Sequence, residues 1–123
     1  MSFVYYNPNP DGRLVGDCTV RAICRLTDQE WDPVYVGITF EGFIWKDMPS
    51  GNNTWGAYLY RKGYIRKFAP YGYTVKDFCR EHPKGRYLLV LDNHVVTAVD
   101  GDYYDIWDSG NELLIYYWTK EEE

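Results

Sequence analysis

Cysteine is scarce in this chain and odd in number, histidine is scarcer, and no long apolar run occurs. Each shortage excludes something. The three thiols, Cys18, Cys24 and Cys79, cannot all pair and include no Cys-x-x-Cys, so a disulfide framework is a poor reading and a reducing compartment is the natural setting. Cys18 and Cys24 are six apart, which on a helix points them to different faces. The two imidazoles, His82 and His94, lack zinc-ligand spacing, so no metal and no other cofactor is expected. No stretch approaches the ~20 apolar residues of a membrane span. The opening MSFVYYNPNPDG has neither the basic nor the apolar region of a secretory signal, which places the expected site of action in the cytoplasm. A basic surplus is also missing. Lys+Arg number 13 against Asp+Glu 18, a net charge of −5, which disfavours a nucleic-acid partner.

What remains is the composition of a single globular domain spanning 1–123: 46% hydrophobic and 25% charged residues, ample for a core and too apolar for disorder. Aromatic residues reach 19%, enough ring surface to fill much of that core. No internal repeat is present, and Lys120-Glu121-Glu122-Glu123 reads as a solvated tail.

The first half is helical in pattern. Residues 1–16, rich in Asn, Pro and Gly, read as a loop or short extended arm. From Cys18 to Leu26 the spacing places Val20, Ile23, Cys24 and Leu26 on one stripe. Thr27-Asp-Gln-Glu30 has the form of a capping box for a second helix, with Trp31, Val34, Tyr35 and Ile38 inward and Pro33 in its first turns. A loop over 46–53 leads to a short helix from Thr54 to Lys62, stopped by Gly63. Thr74 caps a further helix over Val75–Glu81, where Cys79 beside Phe78 packs as a small hydrophobe. The last third changes period. Residues 86–91, 94–99, 103–107 and 113–118 are short aromatic and β-branched runs, separated by turns at Asp92-Asn93 and Asp100-Gly101-Asp102. The expected class is α+β, an antiparallel meander of about four strands with the helices packed on one face.

Three residues at element ends could carry chemistry. Cys18 heads the first helix, where the dipole and unpaired N–H groups favour thiolate and could accept charge from a carbonyl under attack. His94 opens a strand after a tight turn, a rigid position for a general base. Asp108 lies in Trp107-Asp108-Ser109-Gly110. His94 is seven residues before Gly101 and Asp108 seven after it, so the hairpin sets the two opposite each other, with the carboxylate orienting the imidazole. Each residue alone also has a plain structural role, as packing, as a turn residue, or as an Asx-turn acceptor.

Gly16-Asp17-Cys18 opening a helix, Asn93-His94-Val95-Val96 on a strand, and Trp107-Asp108-Ser109-Gly110 after the next together resemble compact papain-like cysteine peptidase domains of bacteria and their phages. The resemblance covers nearly the whole chain in layout, although its motifs occupy only about a dozen residues. It implies a single papain-like domain with Cys18 as nucleophile, His94 as base and acid, Asp108 as orienting residue, and a peptide or protein substrate. It also implies a setting in a bacterial cell or phage-infected host. One departure stands out. The family carries a Gln shortly before its nucleophile to complete the oxyanion hole, and residues 11–17 contain none. Asn7 or Asn9 of the arm, or the Cys18 N–H alone, is left to supply the donor, with Asp17 and Trp55 as further oxyanion or substrate-side candidates. Losing one such donor costs on the order of 10²–10³ in rate.

The alternative is a weakly active or inactive protein-binding module on the same scaffold, such as a phage accessory or inhibitor protein. The acidic balance and ring content suit a binding surface, formed by the 46–55 loop with Trp55 and by Tyr64, Phe68, Tyr71 and Tyr73. A single-strand stacking platform of Tyr103, Tyr104 and Trp107 is opposed by the net charge. The sequence carries no signal for oligomeric state.

Overall fold

The computed structural model describes residues 1–120. Ten elements follow one another: β1 (Phe3–Tyr5), α1 (Cys18–Thr27), α2 (Trp31–Trp45), α3 (Asn52–Arg61), β2 (Tyr64–Phe68), α4 (Val75–Glu81), β3 (Arg86–Leu91), β4 (His94–Val99), β5 (Asp102–Asp105) and β6 (Tyr116–Lys120). The chain is thus α+β with its helices toward the N-terminus. The expected acidic tail lies, from residue 121 onward, outside the described residues, and Lys120 closes the last strand.

The sheet has six strands in the order β1-β5-β4-β3-β6-β2, not four, and it is mixed. The arm contributes β1, which runs parallel to β5 with Phe3 against Tyr103 and Tyr5 against Asp105. Strand β6 does not continue the meander beside β5. It crosses to β3 and pairs there through Leu88↔Trp118 and Val90↔Tyr116, while β2 covers its outer edge. The crossing segment docks on the way, through the Leu114 N–H to the Tyr73 carbonyl and the Ile115 N–H to the Val90 carbonyl, both 2.8 Å. That docking satisfies backbone groups which a simple return strand would have paired along β5.

Two cores result, one on each face of the sheet. Leu88, Val90 and Val95 meet Ile23, Leu26, Val34, Ile38, Trp55 and Leu59 from α1, α2 and α3. The alternate residues Leu89, Leu91, Val96 and Ala98 meet Val75, Phe78 and Cys79 of α4. The helices therefore cover both faces, because β3 and β4 are apolar at successive positions and each face needs a cover. Burying a residue such as Ile23 or Leu26 contributes on the order of 2 kcal/mol.

Local signals explain several boundaries. The Thr74 hydroxyl accepts from the Asp77 N–H while the Asp77 carboxylate accepts from the Thr74 N–H, a complete capping box for α4. Gly63, at φ +95, follows the last turn of α3. The expected box at Thr27 is absent. Thr27 is the last residue of α1, and its hydroxyl donates to the Ile23 carbonyl at 2.7 Å, the back-bond that a helical threonine makes. In α2, Val34 and Ile38 are buried, but Tyr35 is 45% exposed and stacks on Trp31 with ring centroids 4.8 Å apart. Glu41 and Gly42 take the buried positions one turn further on.

No helix among the described residues is long and apolar enough to cross a membrane.

Candidate active site

Cys18 is the first residue of α1, and no side chain caps that helix. The first intrahelical bond runs from the Arg21 N–H to the Asp17 carbonyl at 2.9 Å, so the N–H groups of Cys18, Thr19 and Val20 have no intrahelical partner. The thiol is half-buried and faces β4. After burial, the imidazole of His94 and the backbone of Val95 are the neighbours that act on it most strongly.

His94 begins β4 immediately after the Asp92-Asn93 turn, in which Asn93 takes φ +58. Its Nε2 lies 2.6 Å from Oδ2 of Asp105, which leaves Nδ1 as the ring nitrogen for the sulfur. The Trp107 ring lies beside the imidazole, with centroids 4.9 Å apart.

The carboxylate at His94 belongs to Asp105 and not to Asp108. The expected pairing placed the hairpin centre at Gly101, but the turn consists of Asp100 and Gly101 at φ +50 and +85. Both central residues of a type I′ turn need that left-handed backbone. Val99 therefore pairs with Asp102, Ala98 with Tyr103 and Thr97 with Tyr104. Continuing this register sets Trp107 opposite His94 and Asp105 opposite Val96, a diagonal neighbour of the imidazole. A half-residue error in the centre moves the partner by one, which selects the other face of the strand. Asp108 accepts from the Tyr103 hydroxyl at 2.5 Å and the Gly110 N–H at 3.0 Å. Those donors hold its carboxyl below the usual range.

Asp105 is fully buried and has several donors. Ser109 donates to its Oδ2 at 3.0 Å, its own neighbour Ile106 gives a backbone N–H to Oδ1 at 2.8 Å, and Arg21 Nη2 donates to Oδ1 at 3.1 Å. Sequence reasoning missed Asp105, Arg21 and Ser109. The available signal was an Asp two residues before Trp107 on the return strand, readable only once the two-residue turn is recognised.

Asp17 stands at the N-cap position of α1, but its side chain makes no capping bond and offers no oxyanion donor. Its carboxylate is buried, accepting from Arg21 Nη1 at 2.8 Å and from the Trp31 indole N–H at 2.9 Å. Asn7 is committed to its own arm, its amide donating to the Arg13 carbonyl at 3.3 Å and its oxygen accepting from the Asn9 N–H. Asn9 in turn accepts from the N–H groups of Asp11 and Arg13. Trp55 is 1% exposed and packs edge-on against Trp118 in the core, so it belongs to no surface. Tyr64 and Tyr103 are buried as well, whereas Phe68 and Tyr71 are exposed.

The electrostatics separate one thiol from the other two. Burial pushes the Cys18 thiol up, but hydrogen bonds from His94 and Val95 and the positive charges of His94 and Arg21 outweigh it, leaving the thiol below its ordinary value. Burial drives Cys24 to about 12 and Cys79 to about 11. Burial alone would lower His94. Its bonds to Asp105 and Cys18, and their charges, raise it to about 9. The two shifts run in opposite senses, each group favouring the charged form of the other.

A cavity of about 330 Å³ adjoins the thiol's helix, lined by Asp17 and Thr19 on either side of Cys18 in the chain and by Val20, Trp31, Ile38 and Pro49. A larger groove of about 690 Å³ contains Lys67, His82, Arg86 and Lys120 and none of these site residues. Among the described residues, no group of three or more His, Cys, Asp or Glu side chains is placed to hold a metal ion. Comparisons with protein-family models, curated proteins and solved structures find no match for this chain.

Proposed function

We propose that this protein is a cysteine hydrolase that opens amide bonds, with Cys18 as nucleophile, His94 as base and acid, and Asp105 as the orienting carboxylate. One observation carries the reading: the His94 imidazole is shared between a half-buried thiol of lowered pKa and a buried carboxylate 2.6 Å away. In the first step the Cys18 thiolate bonds to the amide carbon while His94 gives its proton to the departing amine. The C–N bond breaks and a thioester remains. His94 then takes a proton from water, which attacks the thioester and releases the acid and the thiolate. The uncapped N–H groups at the start of α1 are the available oxyanion donors in place of a side-chain amide. The succession of a cysteine-headed helix, a strand-borne histidine and a following acid supports a papain-like domain. The apolar cavity suits a peptide or protein substrate with an apolar side chain near the scissile bond. Three unpaired thiols fit a reducing compartment, the cytoplasm of a bacterial cell or a phage-infected host.

The test is alkylation of Cys18 by iodoacetamide at about pH 6, with hydrolysis of a fluorogenic peptide amide measured in parallel. Fast labelling and turnover, both lost in Cys18→Ala, are expected. Labelling no faster than that of free cysteine overturns the assignment.

A protein-binding module is the second reading. It is favoured by α2, which leaves Val36, Phe40, Phe43 and Trp45 exposed. It predicts sluggish labelling of Cys18 and no amide turnover.

A further inference from the structure

We propose that Arg21 is a positioning residue of this site: from the helix that carries Cys18 it grips the carboxylate that holds His94, and so sets the approach of imidazole to sulfur. This inference rests on the hydrolase reading and adds to it a residue that touches neither substrate nor thiol. Arg21 lies three residues beyond Cys18 on α1 and is 3% exposed. Its Nη2 donates to Oδ1 of Asp105 at 3.1 Å, and the other oxygen of that carboxylate meets His94 Nε2 at 2.6 Å. One carboxylate on β5 is thus divided between a helix-borne cation and a strand-borne ring, and turning it breaks both bonds. The second prong of the guanidinium is fixed too. Nη1 donates to Asp17, whose other oxygen accepts from the Trp31 indole. A planar fork can hold two carboxylates at once in a set geometry, which an ammonium cannot.

Stability alone does not account for this arrangement. A buried ionic group loses much solvation, and apolar side chains of similar size often serve folding equally well. Placed between the nucleophile's helix and the acid's strand, the fork has a use that apolar packing lacks. It couples the two elements whose spacing fixes the distance from sulfur to imidazole. The side chains facing Asp105 are Arg21 from α1, His94 from β4 and the hydroxyl of Ser109, beside the backbone N–H of Ile106. Those facing His94 are Asp105, Cys18 and the Trp107 ring. Asp17 is the remaining buried charge of the cluster.

Arg21→Met and Arg21→Lys test the proposal. The readouts are the pH profile of Cys18 alkylation by iodoacetamide, followed by peptide mapping, and the kcat and KM of amide hydrolysis. In Arg21→Met the acid limb of the profile moves to higher pH, because a cation favouring thiolate is lost. Labelling at about pH 6 and kcat fall roughly 10–100-fold with little change in KM, as a small displacement of reacting groups produces. In Arg21→Lys the charge remains and one prong is lost, so the acid limb stays near the wild-type position while kcat falls. A wild-type profile and kcat in Arg21→Met overturn the proposal. If that variant does not fold, Arg21→Lys decides, and wild-type kcat there overturns it. Loss of folding in both overturns it as well, by making the role purely structural. Slow labelling of the wild-type protein removes the hydrolase reading itself, whereas a fast wild type with an equally fast Arg21→Met removes only the role of Arg21.

Discussion

His94 and Asp105 meet through a 2.6 Å bond between Nε2 and Oδ2, while Asp108, three residues further on, turns to Tyr103. The two acids therefore separate by experiment. Asp105→Asn lowers kcat on the order of 10²–10⁴-fold, the range of a lost acid–base function. Asp108→Asn leaves kcat close to wild type and loosens only the Tyr103 contact. The ratio of the two kcat values decides, and a greater loss in Asp108→Asn reverses the assignment.

The pH dependence of stability follows from the two shifts. His94 is raised from 6.5 to about 9, so its contribution is fully present below about 6.5 and is lost as pH rises through about 9. Cys18 is lowered from 9.0, so its contribution is present above 9.0 and is lost as pH falls through its folded value. The urea midpoint of Cys18→Ala, which retains only the His94 part, declines as pH rises from about 6.5. It completes that decline below the pH needed by the wild type, because the thiolate's share of the His94 shift is gone. A flat midpoint over this window removes the His94–Asp105 ion pair.

Ser109 is buried and donates to the same oxygen that His94 uses. Ser109→Ala deletes that donor while Arg21 and His94 remain on the carboxylate. It is expected to cost about 1 kcal/mol of stability and to lower kcat far less than Asp105→Asn does. Denaturant titration and steady-state kinetics measure the two effects independently.

The cavity beside the thiol's helix gives a specificity prediction. Ser50, on its exposed margin, offers a site for an obstructing ring. Ser50→Trp raises KM for peptide amides with apolar side chains near the scissile bond and leaves iodoacetamide labelling of Cys18 unchanged. Equal KM values for the two proteins dissociate this cavity from the substrate.

Where one residue or a short run decides, the sequence is legible. The opening of α1 at Cys18, the Thr74 cap, the Gly63 stop, the burial of Cys79 and the limits of β3 and β4 all rest on nearby signals. Where partners lie far apart in the chain, it is not. Phe3–Tyr5 has only three residues and no period of its own, and it becomes a strand by pairing with β5 about a hundred residues later. The segment 64–68 is exposed at three of its five positions, so alternation gives it away poorly. At the candidate site the positions of Cys18 and His94 at the ends of their elements are legible. The acid is not, because its choice turns on whether Asp100-Gly101 or Asp100-Gly101-Asp102 forms the turn. Arg21 was hidden by its charge, since a helix pattern assigns an arginine to solvent unless its two buried carboxylates are known.

The three-residue strand β1 has a consequence out of proportion to its size. It lies along the outer rim of β5, where the Tyr6 N–H bonds the Asp105 carbonyl at 2.9 Å and the Tyr103 N–H bonds the Ser2 carbonyl at 3.0 Å. A single proteolytic nick in the polar stretch between Tyr6 and Cys18 would free that strip of chain, bare a row of backbone groups beside Asp105 and invite foreign strands to dock there. On the hydrolase proposal, such a cut would slow turnover from a distance, with Cys18, His94 and Asp105 all still in the chain.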